Sequence, residues 1–418
     1  MAAADIISLT DQIKQEVSFE SSTSGHSHAR LLRLVDELKL AIETPTETVL
    51  RLIYQVIALV FPIIIGSILT SMSIKPPENA ALRTVVDLGI FPILVKDGQK
   101  NGLSAADLAV CTGADKGLIV RLMRVMTALG LCASTEAEVY RPTDKSLSMT
   151  QPIGQDGIPC IYDLTVPTLT KLPEYLREHN YSNPEEYSSS PMKWAVGQSQ
   201  FEWLAKNKRH QALFNSYMSS RREGKPNWLD VYPLERLVDG TASHPDSVFL
   251  VDIGGNQGHD LGRLMAQHRT TPGRVILQDL PKIVSTVNRP GIEAMGYSFL
   301  DPQPIKGARA YYFRAIFHDW PDRICHKILL NTASAMDPTY SRIIIVDFVL
   351  PDTNAPRMQS AMDIQMMSIG AGVERSKRQW TELLASAGLK INGIWNTSPG
   401  MESIIEAVLD VGGLEDSE

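Results

Sequence analysis

The sequence predicts an α/β protein: a mixed, mainly parallel sheet covered by helices on both faces in its C-terminal part, preceded by an α-helical region with a winged-helix layout. Three observations predict it. After His244, continuous apolar strands alternate with helical stretches, the pattern of a sheet buried on both sides. A glycine-rich turn follows the first of those strands. Within residues 77–150, two helical stretches joined by a turn are followed by two strand-like segments.

Composition narrows the function classes. The chain has 418 residues, 44% hydrophobic and 21% charged, an ordinary soluble balance and enough for roughly two to three domains. With 40 Lys+Arg against 47 Asp+Glu the net charge is -7, which disfavours a broad cationic surface for nucleic acid or anionic membrane and suits a small neutral ligand. Cys111, Cys132, Cys160 and Cys325 are far apart with no C-x-x-C pair, so neither a disulfide framework nor a structural zinc site is expected. That reads as a reducing, cytoplasmic setting. The first eight residues lack a basic stretch followed by an apolar one, so no secretory signal is expected.

The elements follow in order. Residues 1–48 hold two helical stretches, LTDQIKQEVSF and ARLLRLVDELKLAI, around a Ser/His-rich break; Leu31, Leu32, Leu34, Val35, Leu38 and Leu40 give the second a broad apolar face. Residues 49–76 contain the charge-free run 52–74, and about 23 residues is enough to cross a bilayer. A membrane anchor, a buried core helix and an insertion from a translated intron are the three readings, and membrane contact is expected only for the first.

Residues 77–150 form the winged-helix region: LSAADLAVCTG and DKGLIVRLMRVMTALGL as helices, then CASTEAEVYRPTDKSLSM as a two-stranded wing. A DNA-reading helix needs an exposed basic face. The second helix offers mainly Lys116, Arg121 and Arg124, while Leu118, Leu122, Met123, Val125, Met126 and Leu129 call for burial, so a structural or dimerisation role is expected and nucleic-acid binding is not. Residues 151–240 carry aromatic residues and methionines at helical spacing. Most such residues are simply core; a subset, Phe201, Trp203, Phe214 and Met218, is expected to line an apolar pocket for a flat ligand.

Residues 241–418 hold the strands SVFLVDIGG, RVILQDL, ARAYYFRAIF and SRIIIVDFVL, the helices HDLGRLMAQH and DRICHKILLNTASAM, and a final hairpin, LKINGIW with ESIIEAVL. The turn DIGGNQGH places Gly254, Gly255 and Gly258 where a strand hands over to a helix, the usual nucleotide position of such sheets. It is not the G-x-G-x-x-G pyrophosphate cradle. About 25 residues on, the next strand ends at Asp279, whose carboxylate suits a pair of ribose hydroxyls. Glycine turn and acidic strand end together suit S-adenosylmethionine, which has a ribose and no phosphate.

VDIGGNQGHD, LQDLPKIV, FHDWPD and GVERSKRQW, in that order and spacing, resemble the plant and fungal small-molecule O-methyltransferases of the caffeate/flavonoid and polyketide type. The resemblance covers nearly the whole chain apart from residues 56–75; without them, the joined stretch LRLIYQPPENAALR is similar to the N-terminal helices of that family. It implies a class I methyltransferase Rossmann-like sheet, an N-terminal winged-helix dimerisation domain, a helical substrate lid and a homodimer. It also implies that Gly254, Gly255 and Gly258 wrap the methionine half of the cofactor and that Asp279 holds the ribose. Arg314 stands where the family often has Lys near the cofactor. Ser298 occupies the place of the usual Asp beside the adenine, leaving Phe299 to pack on the ring.

Methyl transfer to a phenol or enol needs a base, and His318, with an ordinary pKa of about 6.5, suits that work. The resemblance places Asp347 and Glu374 on either side of it; Asp347 replaces a Glu of many plant relatives, and its shorter reach makes Glu374 the better partner. No metal is expected, because the nine histidines show no H-x-x-x-H spacing. The expected function is O-methyl transfer to a hydroxyl of a small secondary metabolite. The alternative is a pericyclase or cyclase that binds the same cofactor on the same fold.

Overall fold

A computed structural model of the chain describes residues 3–20, 34–35, 37–38, 41–55, 65–220, 227–239, 247–268, 271–396 and 401–411. It divides into two compact units: Met1–Leu164 with Lys208–Arg221, and Thr165–Asn207 with Arg222–Glu418. The stretch 151–240 is therefore shared between them.

In the first unit, helices surround a small sheet of order β1-β3-β2, formed by β1 (Leu103–Ser104), β2 (Cys132–Glu136) and β3 (Val139–Pro142). The helix Ala105–Thr112 begins with a reciprocal cap between Ser104 and Asp107, and Asp115 caps Lys116–Ala128. The latter helix buries Ile119, Leu122, Met123 and Met126, while Arg121 and Arg124 point to solvent and Lys116 pairs with Glu138. Leu118, expected to be buried, is exposed. A second correction concerns the end of the wing. DKSLSM is the helix Asp144–Met149, because Thr143 caps it through Ser146 and only the segment before it pairs as a hairpin.

Of the expected N-terminal helices, LTDQIKQEVSF lies within Ala3–Glu20. The second falls mostly outside the described residues, as do residues 56–64 of the apolar run. Its remainder joins the helix Ile65–Asp87, which carries Pro76 and Pro77 in its interior. Among the described residues no helix is long and apolar enough to cross a membrane.

The second unit is built on a seven-stranded sheet of order β6-β5-β4-β7-β8-β10-β9. Its strands are β4 (Val248–Ile253), β5 (Arg274–Asp279), β6 (Glu293–Gly296), β7 (Ala310–Arg314), β8 (Arg342–Asp347), β9 (Leu389–Trp395) and β10 (Ser403–Leu409). β6, β5, β4, β7 and β8 pair in parallel, and β10 is antiparallel to both β8 and β9. Alternate residues feed two cores: Val251, Ile253, Tyr311, Phe313, Ile343 and Ile345 on one face, and Leu250, Tyr312, Ile344 and Val346 on the other. Burial on both faces is why these strands read as unbroken apolar runs. The short edge strand β6 was not foreseen.

Candidate active site

Parallel pairing brings the carboxyl ends of β4, β5, β7 and β8 to one edge, and the residues singled out by sequence in the sheet's loops gather there. After β4 the chain turns sharply at Gly254, whose φ is +75°, and a Cβ there would meet Ile316 Cδ1 at 2.6 Å. A Cβ on Gly255 would collide with the Asp252 carboxylate behind it. Both positions need glycine for steric reasons. The N–H groups of Gly254 and Gly255 donate to the Gln278 carbonyl at 2.7 and 3.3 Å, and Asn256 N donates to Asp279 Oδ2 at 2.8 Å, tying the turn to the end of β5. Gly258, at φ +67°, then starts the helix His259–Gln267.

Asp279 Oδ1 accepts from Leu280 N at 2.7 Å, so each carboxylate oxygen keeps acceptor capacity to spare. Burial raises its pKa, and the two backbone donors pull against it; among the described residues no cation contributes. A half-buried carboxylate with acceptor capacity to spare beside a glycine turn fits a neutral diol such as a ribose. Phe299 lies at the same turn, 3.9 Å from the position of a Gly254 Cβ, and its ring meets Trp320 edge-on at 6.0 Å between centroids. Ser298 accepts from Leu300 N within the same loop.

Arg314 is turned to other partners than a ligand. It is the last residue of β7, Nη1 donates to Asp260 Oδ1 at 2.9 Å, and Nη2 and Nε donate to Glu402 Oε2 at 2.6 and 3.1 Å. All three nitrogens thus hold carboxylates, joining the helix after the glycine turn to the start of β10.

His318 sits past the end of β7 in the 3₁₀ turn Phe317–Asp319 and is buried. Its Nδ1 lies 2.9 Å from Glu374 Oε1 but 4.0 Å from Asp347 Oδ1. Asp347 instead accepts the His318 backbone N–H through Oδ2 at 3.3 Å. Nε2 has its nearest carboxylate oxygen, Asp319 Oδ1, at 3.6 Å. Burial disfavours the imidazolium, yet the charges of Asp347, Glu374 and Asp319 together outweigh it and hold the imidazole pKa above its ordinary value. For Asp347 burial raises the pKa, His318 lowers it, and Glu374 and Glu402 raise it again, so the carboxyl lies above the usual range. The donor atoms of His318, Asp347 and Glu374 lie within 4.8 Å of one another, a grouping also suited to a cation and one that no local spacing announced.

Of the aromatic candidates, Phe201 lies with Tyr187 and Trp320, at ring separations of 6.1 and 6.2 Å, and Tyr187 meets Trp320 at 5.0 Å. Trp203 belongs to the same unit, whereas Phe214 and Met218 pack against the core of the first. Tyr187 and Trp320 were not singled out as pocket residues. Trp320 was legible only through its place after His318.

Comparison with known proteins decides the family. A model described as the O-methyltransferase domain matches residues 183–390, and one described as the O-methyltransferase dimerisation domain matches 78–151. The Aspergillus candidus methyltransferase cfoC is 33% identical over 409 residues, 96% of each chain. The chain belongs to the S-adenosylmethionine-dependent O-methyltransferase family. Among solved structures it is similar to one described as a pericyclic reaction enzyme, with TM-score 0.76, 31% identity and 98% and 100% of the two chains covered. It is also similar to OxaC in complex with S-adenosylhomocysteine and oxaline, with TM-score 0.74, 30% identity and 97% and 99% covered. The O-methyltransferase fold, a class I sheet preceded by a dimerisation domain, is thus the one expected from sequence.

Proposed function

We propose that this protein transfers a methyl group from S-adenosylmethionine to a phenolic or enolic hydroxyl of a small secondary metabolite, with His318 as general base. The hydrogen bond between His318 Nδ1 and Glu374 Oε1 carries the reading. With its proton on Nδ1 and donated to Glu374, the neutral imidazole keeps the Nε2 lone pair for a substrate proton. When bound, S-adenosylmethionine supplies an electrophilic methyl on a cationic sulfur, whose charge opposes protonation of an imidazole beside it. Asp347 holds the backbone of the base through the His318 N–H, a supporting role rather than a contact with the ring.

Gly254, Gly255 and Gly258 would hold the methionine half of the cofactor by close backbone approach, Asp279 the ribose, and Ser298 and Phe299 the adenine. Arg314 supports the turn from behind through Asp260. Phe201 gives the substrate an aromatic surface continuous with Tyr187 and Trp320, with Trp203 as a further pocket residue, while Phe214 and Met218 serve the core of the first unit. The dimerisation domain supports a homodimer.

A second reading, a pericyclic ring closure with the cofactor bound but unconsumed, is favoured by one observation: the likeness to the solved pericyclic reaction enzyme. Incubation with methyl-labelled S-adenosylmethionine and an extract of the producing organism tests the first reading. Label in an O-methylated product supports it; a converted substrate without label supports the second.

A further inference from the structure

We propose that Arg375 is a positioning residue that clamps the His318 turn against Glu374; the inference rests on His318 being the base. Arg375 is 1% exposed, and a buried guanidinium is costly unless every donor is used. Nη1 donates to the carbonyl of Phe317 at 2.8 Å, and Nη2 donates to that of Trp320 at 2.9 Å. These two carbonyls bracket His318 and Asp319. Nη1 also reaches the Val373 carbonyl at 3.3 Å, Nη2 the Cys325 sulfur at 3.2 Å, and Nε the Asp322 carboxylate at 2.9 Å.

The guanidinium lies over Trp380, 5.4 Å from the ring, and Trp380 Nε1 donates to the carbonyl of Phe348, the residue after Asp347. From the other side, Val373 N donates to the His318 carbonyl at 3.0 Å, and a Cβ on Gly372 would collide with that same oxygen. One planar fork therefore fixes both ends of the turn that carries the imidazole, from the residue adjoining its carboxylate partner. A lysine, with a point charge and no fork, cannot reproduce it.

The test uses the full-length protein with 15N-labelled histidine. In the wild type the Nδ1–H of His318, assigned by its loss in His318→Gln, gives a low-field, slowly exchanging resonance. In Arg375→Lys that resonance is lost, and the imidazole pKa falls toward its ordinary value as Glu374, Asp347 and Asp319 no longer face the ring in register. S-adenosylhomocysteine affinity, measured by calorimetry, stays within about threefold. An unchanged resonance and titration in Arg375→Lys overturns the proposal. If that variant does not fold, Asp322→Asn decides: its carboxylate is 70% exposed, so the interior is kept. A weakened, faster-exchanging resonance supports the clamp and an unchanged one overturns it. Failure of the wild type to bind S-adenosylhomocysteine would remove the methyltransferase reading, while the histidine signal still reports on the clamp.

Discussion

His318 is surrounded by three carboxylates that differ in what they touch: Glu374 meets the ring, Asp347 the backbone and Asp319 the far side. With His318 as the proposed base only the neutral imidazole accepts a proton, so turnover is expected to rise with pH through its raised pKa. Glu374→Gln removes one of the charges that raise it. The ascending limb of the kcat/KM profile is therefore expected to move to lower pH while the plateau falls; a limb that stays in place or moves up contradicts the assignment. Asp279→Ala removes the acceptor beside the glycine turn, and losing charged hydrogen bonds costs about 1.5 to 3 kcal/mol, or roughly tenfold to hundredfold in affinity for S-adenosylhomocysteine. Calorimetry giving wild-type affinity would exclude the ribose role. His318 and Glu374 stand out in sequence because FHDWPD and GVERSKRQW are distinctive. Arg375 does not, since an arginine followed by serine and lysine reads as surface, and its burial depends on carbonyls contributed from 317 and 320.

The inner strands were legible because each element buries both faces, as Ile343 to Ile345 do in β8. β6 was not, because Glu293 to Gly296 offers a short, mostly exposed edge with no apolar run. DKSLSM was misread for a related reason: a helix of six residues has too little periodicity to show, and only the Thr143 cap marks it. The loop 371–375 has its own signature in Ala371 at φ +58° and Gly372 against His318. Gly372→Ala forces the loop away from the base turn, so turnover is expected to fall at least about 100-fold, the worth of a general base, with cofactor binding kept. Equal turnover would show that the loop yields cheaply.

At the scale of the molecule, the segment 56–75 is the stretch that the resemblance read from the sequence leaves out. Pro76 and Pro77 fall inside the helix Ile65–Asp87, where each lacks the N–H for a hydrogen bond; prolines suit the first turn of a helix instead. That placement favours a natural helix start at Pro76. Transcript sequencing is expected to join Gln55 directly to Pro76, and the shortened chain to form a stable dimer by light scattering; a retained segment in active, membrane-pelleting protein contradicts this. Methyl transfer driven by His318 is tested most directly by S-adenosylhomocysteine formation measured against substrate consumed, in wild type and His318→Gln. One S-adenosylhomocysteine per product is expected in the wild type, and a loss of about 100-fold to 10,000-fold in the variant at unchanged cofactor affinity. Substrate converted by the wild type with no S-adenosylhomocysteine formed would contradict it.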